Sequence, residues 1–468
     1  MAVQEVPRKE AGKDMTSSSF RLRIRMYRVG LGDCFLLTFY TTPVQHMLID
    51  CGMFSGSGLN EEKKDKELHR EIARNIADET GNTLDVVVIT HEHMDHVSIF
   101  NSQKGIFQNM AFKQVWVGWV EDPDNKDAKE LRKRYEGLET ALAQALAGLQ
   151  GLSQMDPEEY TRLHDHVAGV AGFTGLAADG SISERPRTAI DFVKNKVDKK
   201  NLHFGYPGDI WEFAGTKVYV LAPPPTGTQM RKMERAGASY DRALALADDT
   251  PEGKIGWYPF TNQWRQPLKK SSGWDAAERV STALDDILSR YNEARDAWRR
   301  IDHLELDSAP DLALQMDKYT NNTSLVLAFE FENGDVVLFP GDAQVGSWDS
   351  WFQIKKSGFP NVTELLKRTI FYKVGHHGSH NATLKGVLET MDHSRLVAMM
   401  PTNEQFALKS KHWVMPAPKL NDALKDSTHK RLLRNDQGFH GVAEPKTEDW
   451  GGLKDNFVQN ELYIDYYL

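Results

Sequence analysis

The sequence predicts an α/β sandwich interrupted by a large, mainly helical insertion, and three observations predict it. Apolar strand-type runs alternate with helical stripes at both ends of the 468-residue chain. A block of different, helical character separates those ends. Three loops rich in histidine and aspartate each fall just past the C-terminal end of an apolar strand, where ligands gather in α/β sheets.

Residues 1–19 carry charges but no apolar signal core and are expected to be a disordered lead. "FRLRIRMYRV" alternates with period two: Phe20, Leu22, Ile24 and Met26 on one face, Arg21, Arg23 and Arg25 on the other. The arginine row is expected to be a solvated sheet face. "DCFLLTFY" and "HMLIDCG" read as further strands, 61–79 as a helix, and "LDVVVIT" as a strand buried on both faces. "QVWVGWV" closes this first half, 20–120.

From 121 to 310 the character changes. Ala128, Leu131, Tyr135, Leu138, Leu142, Ala145 and Leu149 draw an amphipathic helical stripe, expected to pack on its own domain, with a homodimer or partner-protein surface as the other use. Val280, Leu284, Ile287, Leu288, Tyr291 and Trp298 draw a second. Between them "GDIWEFAGTKVYVLAPPP", near 205–225, reads as a short β-hairpin. The second half, 311–468, returns to strands, with Asn333-Gly334 marking a hairpin between "SLVLAFEF" and "DVVLF".

Composition excludes some classes. The chain has 57 Lys+Arg against 66 Asp+Glu, a net −9, so no global basic field points to nucleic acid, although a local groove remains open. No apolar run is long enough to span a membrane. The two cysteines, Cys34 and Cys51, sit in strand contexts and read as buried thiols of a cytoplasmic protein.

The chemistry lies in "THEHMDH", "PGDA" and "VGHHGSHN". Imidazole and carboxylate are the ligands of a zinc or manganese hydrolase centre. In an extended turn His91 and His93 point the same way and suit one ion. Asp95 and His96 then face a second, Asp342 bridges the two, and a histidine from the third loop completes the set. Two such ions hold a hydroxide between them and clamp an in-line displacement.

These motifs resemble the metallo-β-lactamase fold, and more closely the hydrolase domain of ComEC, the bacterial DNA-uptake channel. "YRVGLGDCFLL", "LIDCG", "NNTSLVLAFEFENGDVVLFPGDA" and "YKVGHHGSHNAT" carry the resemblance, and "PTNEQF…HWVMPAP…LLRNDQG" follows it loosely. It covers roughly 20–120, 205–225 and 320–440 and leaves the helical block outside. It implies an αββα sandwich and two divalent ions, zinc or manganese, held by His91, His93, Asp95, His96, Asp342 and one of His376 and His377. His376 is favoured because it leaves the strand first, and His377 joins Asp95 as a catalytic residue. The usual third histidine of the first ion is missing, and Asn321-Asn322 stands in its place.

Asp33 and Asp50 are expected to grip strand-end backbone and ligand histidines. Lys373, Ser379 and Asn381 are candidates to hold phosphate oxygens, and His412 lies near the cleft if the tail resemblance holds. His164 and His166 mimic a ligand pair but fall on different helix faces, and Asp209 belongs to a turn before a strand.

The implied activity is phosphodiester hydrolysis, with a nuclease acting on DNA favoured. A small-molecule or nucleotide phosphodiesterase, or a lactone or thioester hydrolase, is the alternative. A different class of reading is a metal-stabilised regulatory or binding component of a bacterial defence or signalling complex. Lys194, Lys196, Lys199 and Lys200 along the cleft would favour a polymer substrate, and an apolar roof a small one.

Overall fold

The structure is a computed structural model, described here over residues 20–149, 167–177, 181, 185–230, 309–439 and 456–468. Strands β1 (Leu22–Tyr27), β2 (Cys34–Phe39) and β3 (Gln45–Cys51) form an antiparallel meander. Helices α1 (Asp65–Glu79) and α2 (Met94–Ser102) then provide the crossovers that make β3, β4 (Thr83–Ile89) and β5 (Ala111–Gly118) parallel.

After α3 (Lys126–Leu149) and α4 (Pro186–Lys194), β6 (Leu202–Gly205) extends this sheet parallel to β5. The hairpin β7 (Ile210–Phe213) and β8 (Thr216–Ala222) begins the second sheet. Helix α5 (Ala309–Asn321) leads into β9 (Val326–Glu330) and β10 (Val336–Phe339). Strands β11 (Thr369–Lys373), β12 (Val397–Met400) and β13 (Leu432–Arg434) follow in parallel. The chain ends with β14 (Phe457–Gln459) and β15 (Tyr463–Tyr467), which return to β1. The sheet orders are β14-β15-β1-β2-β3-β4-β5-β6 and β13-β12-β11-β10-β9-β8-β7.

Two faces of each sheet are covered, which makes four layers, αββα. Between the sheets Ile24, Leu37, Val88, Val220, Phe329, Phe339 and Phe371 interlock, each burial contributing about 1.5–3 kcal/mol. Outside the first sheet Leu36, Leu48 and Val87 meet Ile72, Ile76, Val97 and Ile190 of α1, α2 and α4. Outside the second, Tyr372 and Ala398 meet Trp348, Leu365 and Leu420. The α/β sandwich read from the sequence is the observed architecture.

Two expectations need revision. The arginine row of β1 is not a solvated face: α1 covers Arg23 and Arg25, and Arg21 pairs with Asp335. Arg25 is 1% exposed and donates to Asp465, its neighbour on β15, at 2.7 Å through both Nε and Nη2. It also contacts Asn75 and Glu79 of α1. The block at 121–310 is not one appendage, since β6, β7 and β8 belong to the two sheets and α4 packs beside α2. The rest of its described part is a helical cluster in which Leu138, Leu142 and Leu146 of α3 meet Val167, Val170, Ala313 and Met316. The second apolar stripe, 280–298, lies outside the described residues, as do His164 and His166. Asp209 closes a turn on the backbone of Tyr206, as its place before β7 predicts.

No helix among the described residues is long and apolar enough to cross a membrane. Cys34 and Cys51 are buried and unbridged, with their sulfurs 3.6 Å apart across β2 and β3.

Candidate metal centre

Three strand ends meet at one point between the sheets. Beyond β4, the Thr90 N–H donates to Asp50 Oδ1 at 2.8 Å, which anchors the loop that carries His91 and His93. Helix α2 starts at Met94, so Asp95 and His96 fall in its first turn, where an acidic side chain is favoured by the helix dipole. This turn rests on Gly52: a Cβ there would lie 2.4 Å from the Asp95 carbonyl carbon and the His96 nitrogen. Beyond β10, the Asp342 N–H donates to Ser324 Oγ at 3.0 Å. Beyond β11, His376 and His377 adopt left-handed φ values of 47° and 51°, a strain of about 1–3 kcal/mol each that aims both rings inward.

Asp95, His96, Asp342 and His377 each offer a ligand atom, and these atoms lie within 4.8 Å of one another. His377 Nε2 is 2.8 Å from Asp95 Oδ2, and His96 Nε2 is 3.2 Å from Asp342 Oδ2. Beside them His91 Nε2 and His93 Nδ1 stand 3.1 Å apart. The opposite ring nitrogens are held. His96 Nδ1 donates to Asp50 Oδ2 at 2.7 Å and His377 Nδ1 to the Pro401 carbonyl at 3.0 Å. His91 Nδ1 lies 3.0 Å from Thr90 Oγ1 and 3.2 Å from Ser324 Oγ. Such contacts fix the tautomer that presents the free nitrogen to an ion.

Electrostatics agree with a cation site. Asp33, Asp50, Asp95, Asp317 and Asp342 are all buried here, with Lys373 as the one buried ammonium among the described residues. Burial pushes the Asp342 carboxyl up, but Lys373 and His96 outweigh it and hold it well below the usual range. Burial likewise raises Asp95, and His96 with His377 reverses the shift. Burial pulls His96 down, yet Asp342, Asp95, Asp33 and Asp50 lift it well above an ordinary histidine. His91, by contrast, is lowered, and His93 falls to about 4, each chiefly by burial. Among the buried atoms that lack a hydrogen-bond partner are His93 Nε2, Asp95 Oδ1, His96 Nε2 and Asp317 Oδ1. Unpartnered imidazole nitrogens and carboxylate oxygens in a site dominated by buried carboxylates fit divalent cations.

The structure therefore brings His91, His93, Asp95, His96, Asp342 and His377 together. His376, favoured from the sequence as the ligand of its pair, stands apart from the four-residue group. Its Nδ1 lies 2.7 Å from Ser379 Oγ and its Nε2 3.2 Å from Asn321 Nδ2. The left-handed backbone turns the second histidine, not the first, onto Asp95.

Of the asparagine pair, Asn321 faces His376, while Asn322 accepts from the backbone of Gln344 and Ser347. Lys373 donates to Gly341 O at 2.9 Å and Asp342 Oδ1 at 3.0 Å, and also contacts Asp33, so its ammonium is spent inside the protein. Ser379 donates to Asn381 Oδ1 at 2.7 Å. His412 is an exposed cap at the end of the helix Glu404–Lys411.

Three further residues shape the centre, none of them among the ligand candidates. Asp317, one turn before Asn321 on α5, approaches His93; burial, then Asp95 and Asp342, push its carboxyl up to about 7. Glu92, a mere spacer by sequence, is bound by Arg187 of α4, which also grips Glu121. Phe173 packs on His93 at 5.6 Å and stacks on Trp413 at 5.5 Å. Their partners are distant in sequence, so only the helical spacing of Asp317 and Asn321 was open to inspection.

Among known families, the model described as Metallo-beta-lactamase superfamily matches residues 27–98, the segment from the end of β1 into α2. It contains Asp33, Asp50, His91, His93, Asp95 and His96. No curated protein and no solved structure matches the chain. The match and the buried histidine–aspartate groups support a metal-dependent hydrolase.

Proposed function

We propose that this protein is a metal-dependent phosphodiester hydrolase of the cytoplasm. The observation that carries the reading is the convergence of Asp95, His96, Asp342 and His377 on one buried point, beside the His91–His93 pair. His91 and His93 would hold a first divalent ion, zinc or manganese. Asp95, His96 and His377 would hold a second, with Asp342 shared. When bound, such ions lower the pKa of water and polarise a phosphoryl oxygen. Asp95 has one oxygen on His377 and the other unpartnered, so it is the group placed to orient a water and take its proton. His96 and His377 together hold that carboxylate ionised.

The nuclease reading, with DNA favoured, rests on the ComEC-type resemblance of "NNTSLVLAFEFENGDVVLFPGDA" and "YKVGHHGSHNAT". A small phosphodiester or nucleotide is the second reading, and a specific observation favours it. Phe173 packs on His93 and belongs to an apolar cluster with Phe54 and Trp413, ring centroids 4.7–5.8 Å apart, so this side of the site is backed by aromatic rings and not by charge. The lysines that a polymer would want are tied to groups of the protein or precede β6. Lys194 and Lys196 bond Glu121 and the Gln108 carbonyl, and Lys199 and Lys200 precede β6, at the end of the strand away from the site.

The test is direct: linear DNA, RNA and a chromogenic phosphodiester, each with Mn²⁺ or Zn²⁺, incubated with the wild type and with His93→Ala/Asp95→Ala. Equal turnover by the two proteins would falsify the catalytic assignment. Cleavage of the small diester alone removes the nuclease reading. Tight metal binding with no hydrolysis of diesters, lactones or thioesters leaves the regulatory reading, with the helical cluster as a partner surface.

A further inference from the structure

Resting on the metal-centre reading above, the geometry points to one more functional residue. We propose that Asp317 is the positioning residue of the first metal position, accepting the Nε2–H of His93 so that Nδ1 of that ring faces the His91 nitrogen. The histidines of the centre share a pattern with one gap. Three histidines of the centre have the nitrogen that turns away from the ions already held: His91 by Thr90 and Ser324, His96 by Asp50, His377 by the Pro401 carbonyl. His93 is the exception. Its Nδ1 is the atom beside His91 Nε2, so Nε2 is the one that needs an acceptor, and it has none within hydrogen-bond reach.

The atom opposite is Asp317 Oδ1, at 4.0 Å, and it too is buried and unpartnered. The side chains of His93 and Asp317 are 1% and 9% exposed, so water gives neither a ready alternative. Two unsatisfied groups of opposite character facing each other in a dry site are stabilised by closing about 1 Å onto one hydrogen bond. The other oxygen, Oδ2, accepts from Asn321 Nδ2 at 3.2 Å, which fixes the carboxylate's rotation. That same Oδ2 stands 4.0 Å from His376 Nε2, so α5 touches both histidine loops through one residue. A carboxylate behind a ligand imidazole fixes its tautomer and raises its basicity, and losing it typically weakens metal binding 10–100-fold. The first position lacks a third histidine, so the quality of His91 and His93 matters more there than at the second.

The test measures metal affinity, not turnover. Full-length wild type, Asp317→Ala, Asp317→Asn and a His96→Ala control are titrated with Zn²⁺ against a chromogenic chelator, and the Co²⁺ absorption spectrum of each is recorded. Circular dichroism checks the fold. The expected result is two ions in the wild type, with Asp317→Ala weakening one of them 10–100-fold and leaving the other unchanged. Asp317→Asn keeps an acceptor oxygen and is expected to recover part of the loss; if Asp317→Ala does not fold, Asp317→Asn against wild type carries the comparison. Two ions bound with unchanged affinity in Asp317→Ala, or in Asp317→Asn where that variant carries the comparison, overturn the role of Asp317 and leave the metal centre standing. Equal loss in the Asn and Ala variants overturns the hydrogen-bond role, because a direct carboxylate ligand behaves that way. A wild type that binds no ion overturns the metal centre and this inference together.

Discussion

Replacing Arg187 with methionine isolates the ionic clamp that holds the first metal loop. Arg187 donates to Glu92 through Nε at 3.1 Å and through Nη2, and to Glu121 at 2.5 and 2.8 Å. The side chains of Arg187, Glu92 and Glu121 are 21%, 18% and 11% exposed, so little solvent screens the arrangement. Glu121 keeps Lys194 at 3.1 Å and Arg132 at 3.2 Å after the change, whereas Glu92 loses the cation it touches. Removing one side of a buried pair costs about 3–5 kcal/mol because the other charge stays buried. One stranded carboxylate and one retained pairing place Arg187→Met near the lower end, about 3 kcal/mol.

The loss carries a pH signature. Burial already pushes the Glu92 carboxyl above its ordinary value in spite of Arg187, and without the guanidinium it rises further. Above the ordinary glutamate value the folded variant then binds more protons than the unfolded chain, so its stability falls as pH rises. Urea unfolding followed by circular dichroism at pH 5 and pH 8 is the assay. The variant is expected to lose more, relative to wild type, at the higher pH. A loss below about 1 kcal/mol, or one larger at pH 5, would refute the clamp.

Three other outcomes follow from the same geometry. Asp50→Ala releases His96 Nδ1 and the Thr90 N–H together, and a chelator competition should show the second ion bound 10–100-fold more weakly; unchanged affinity would remove Asp50 from the centre. Gly52→Ala drives a Cβ to 2.4 Å from the backbone of Asp95 and His96, so thermal melting should show destabilisation of about 1–3 kcal/mol, and a neutral effect would contradict the close approach. His69 is buried and lowered from 6.5 to about 4, so its neutral form stabilises the fold fully above pH 6.5 and that stability is lost as pH falls toward 4, about 3 kcal/mol in all; His69→Gln should flatten that part of the acid-unfolding curve, and an identical curve would discount it.

Much of the sandwich was legible because its signals are local. The alternation in β1, the buried run of β4 and the Asn333-Gly334 turn, with Gly334 at φ 85°, need no distant partner to be read. The histidine and aspartate loops were legible because strand ends announce themselves. The rest depends on contacts between residues far apart in sequence. Arg25 looked solvated because its partner Asp465 lies 440 residues away. Strand β6, four residues long, was hidden inside a block whose longest signal is helical, whereas the β7–β8 hairpin beside it was legible. That His377 rather than His376 lies beside Asp95 depends on a left-handed backbone at both residues, which no side-chain pattern encodes.

The centre also divides into two parts of different origin. The proposed second position would draw on strand ends of both sheets, through Asp95, His96, Asp342 and His377, and rest on the inter-sheet core. The proposed first position leans on segments other than the strand ends: Phe173 on His93 and Arg187 on Glu92, both from 121–310, and Asp317 on α5, a helix just after that block that packs against α3. Phe173 and α5 pack in clusters much smaller than the inter-sheet core, whereas α4 packs on the first sheet, so local opening at Phe173 and α5 requires less free energy than opening the sandwich. Occupancy of the two positions should therefore separate under stress. In the Arg187→Met protein, rising urea is expected to release the first ion well before the unfolding transition and the second ion with it. Simultaneous release of both would mean that these segments and the sheets open as one unit.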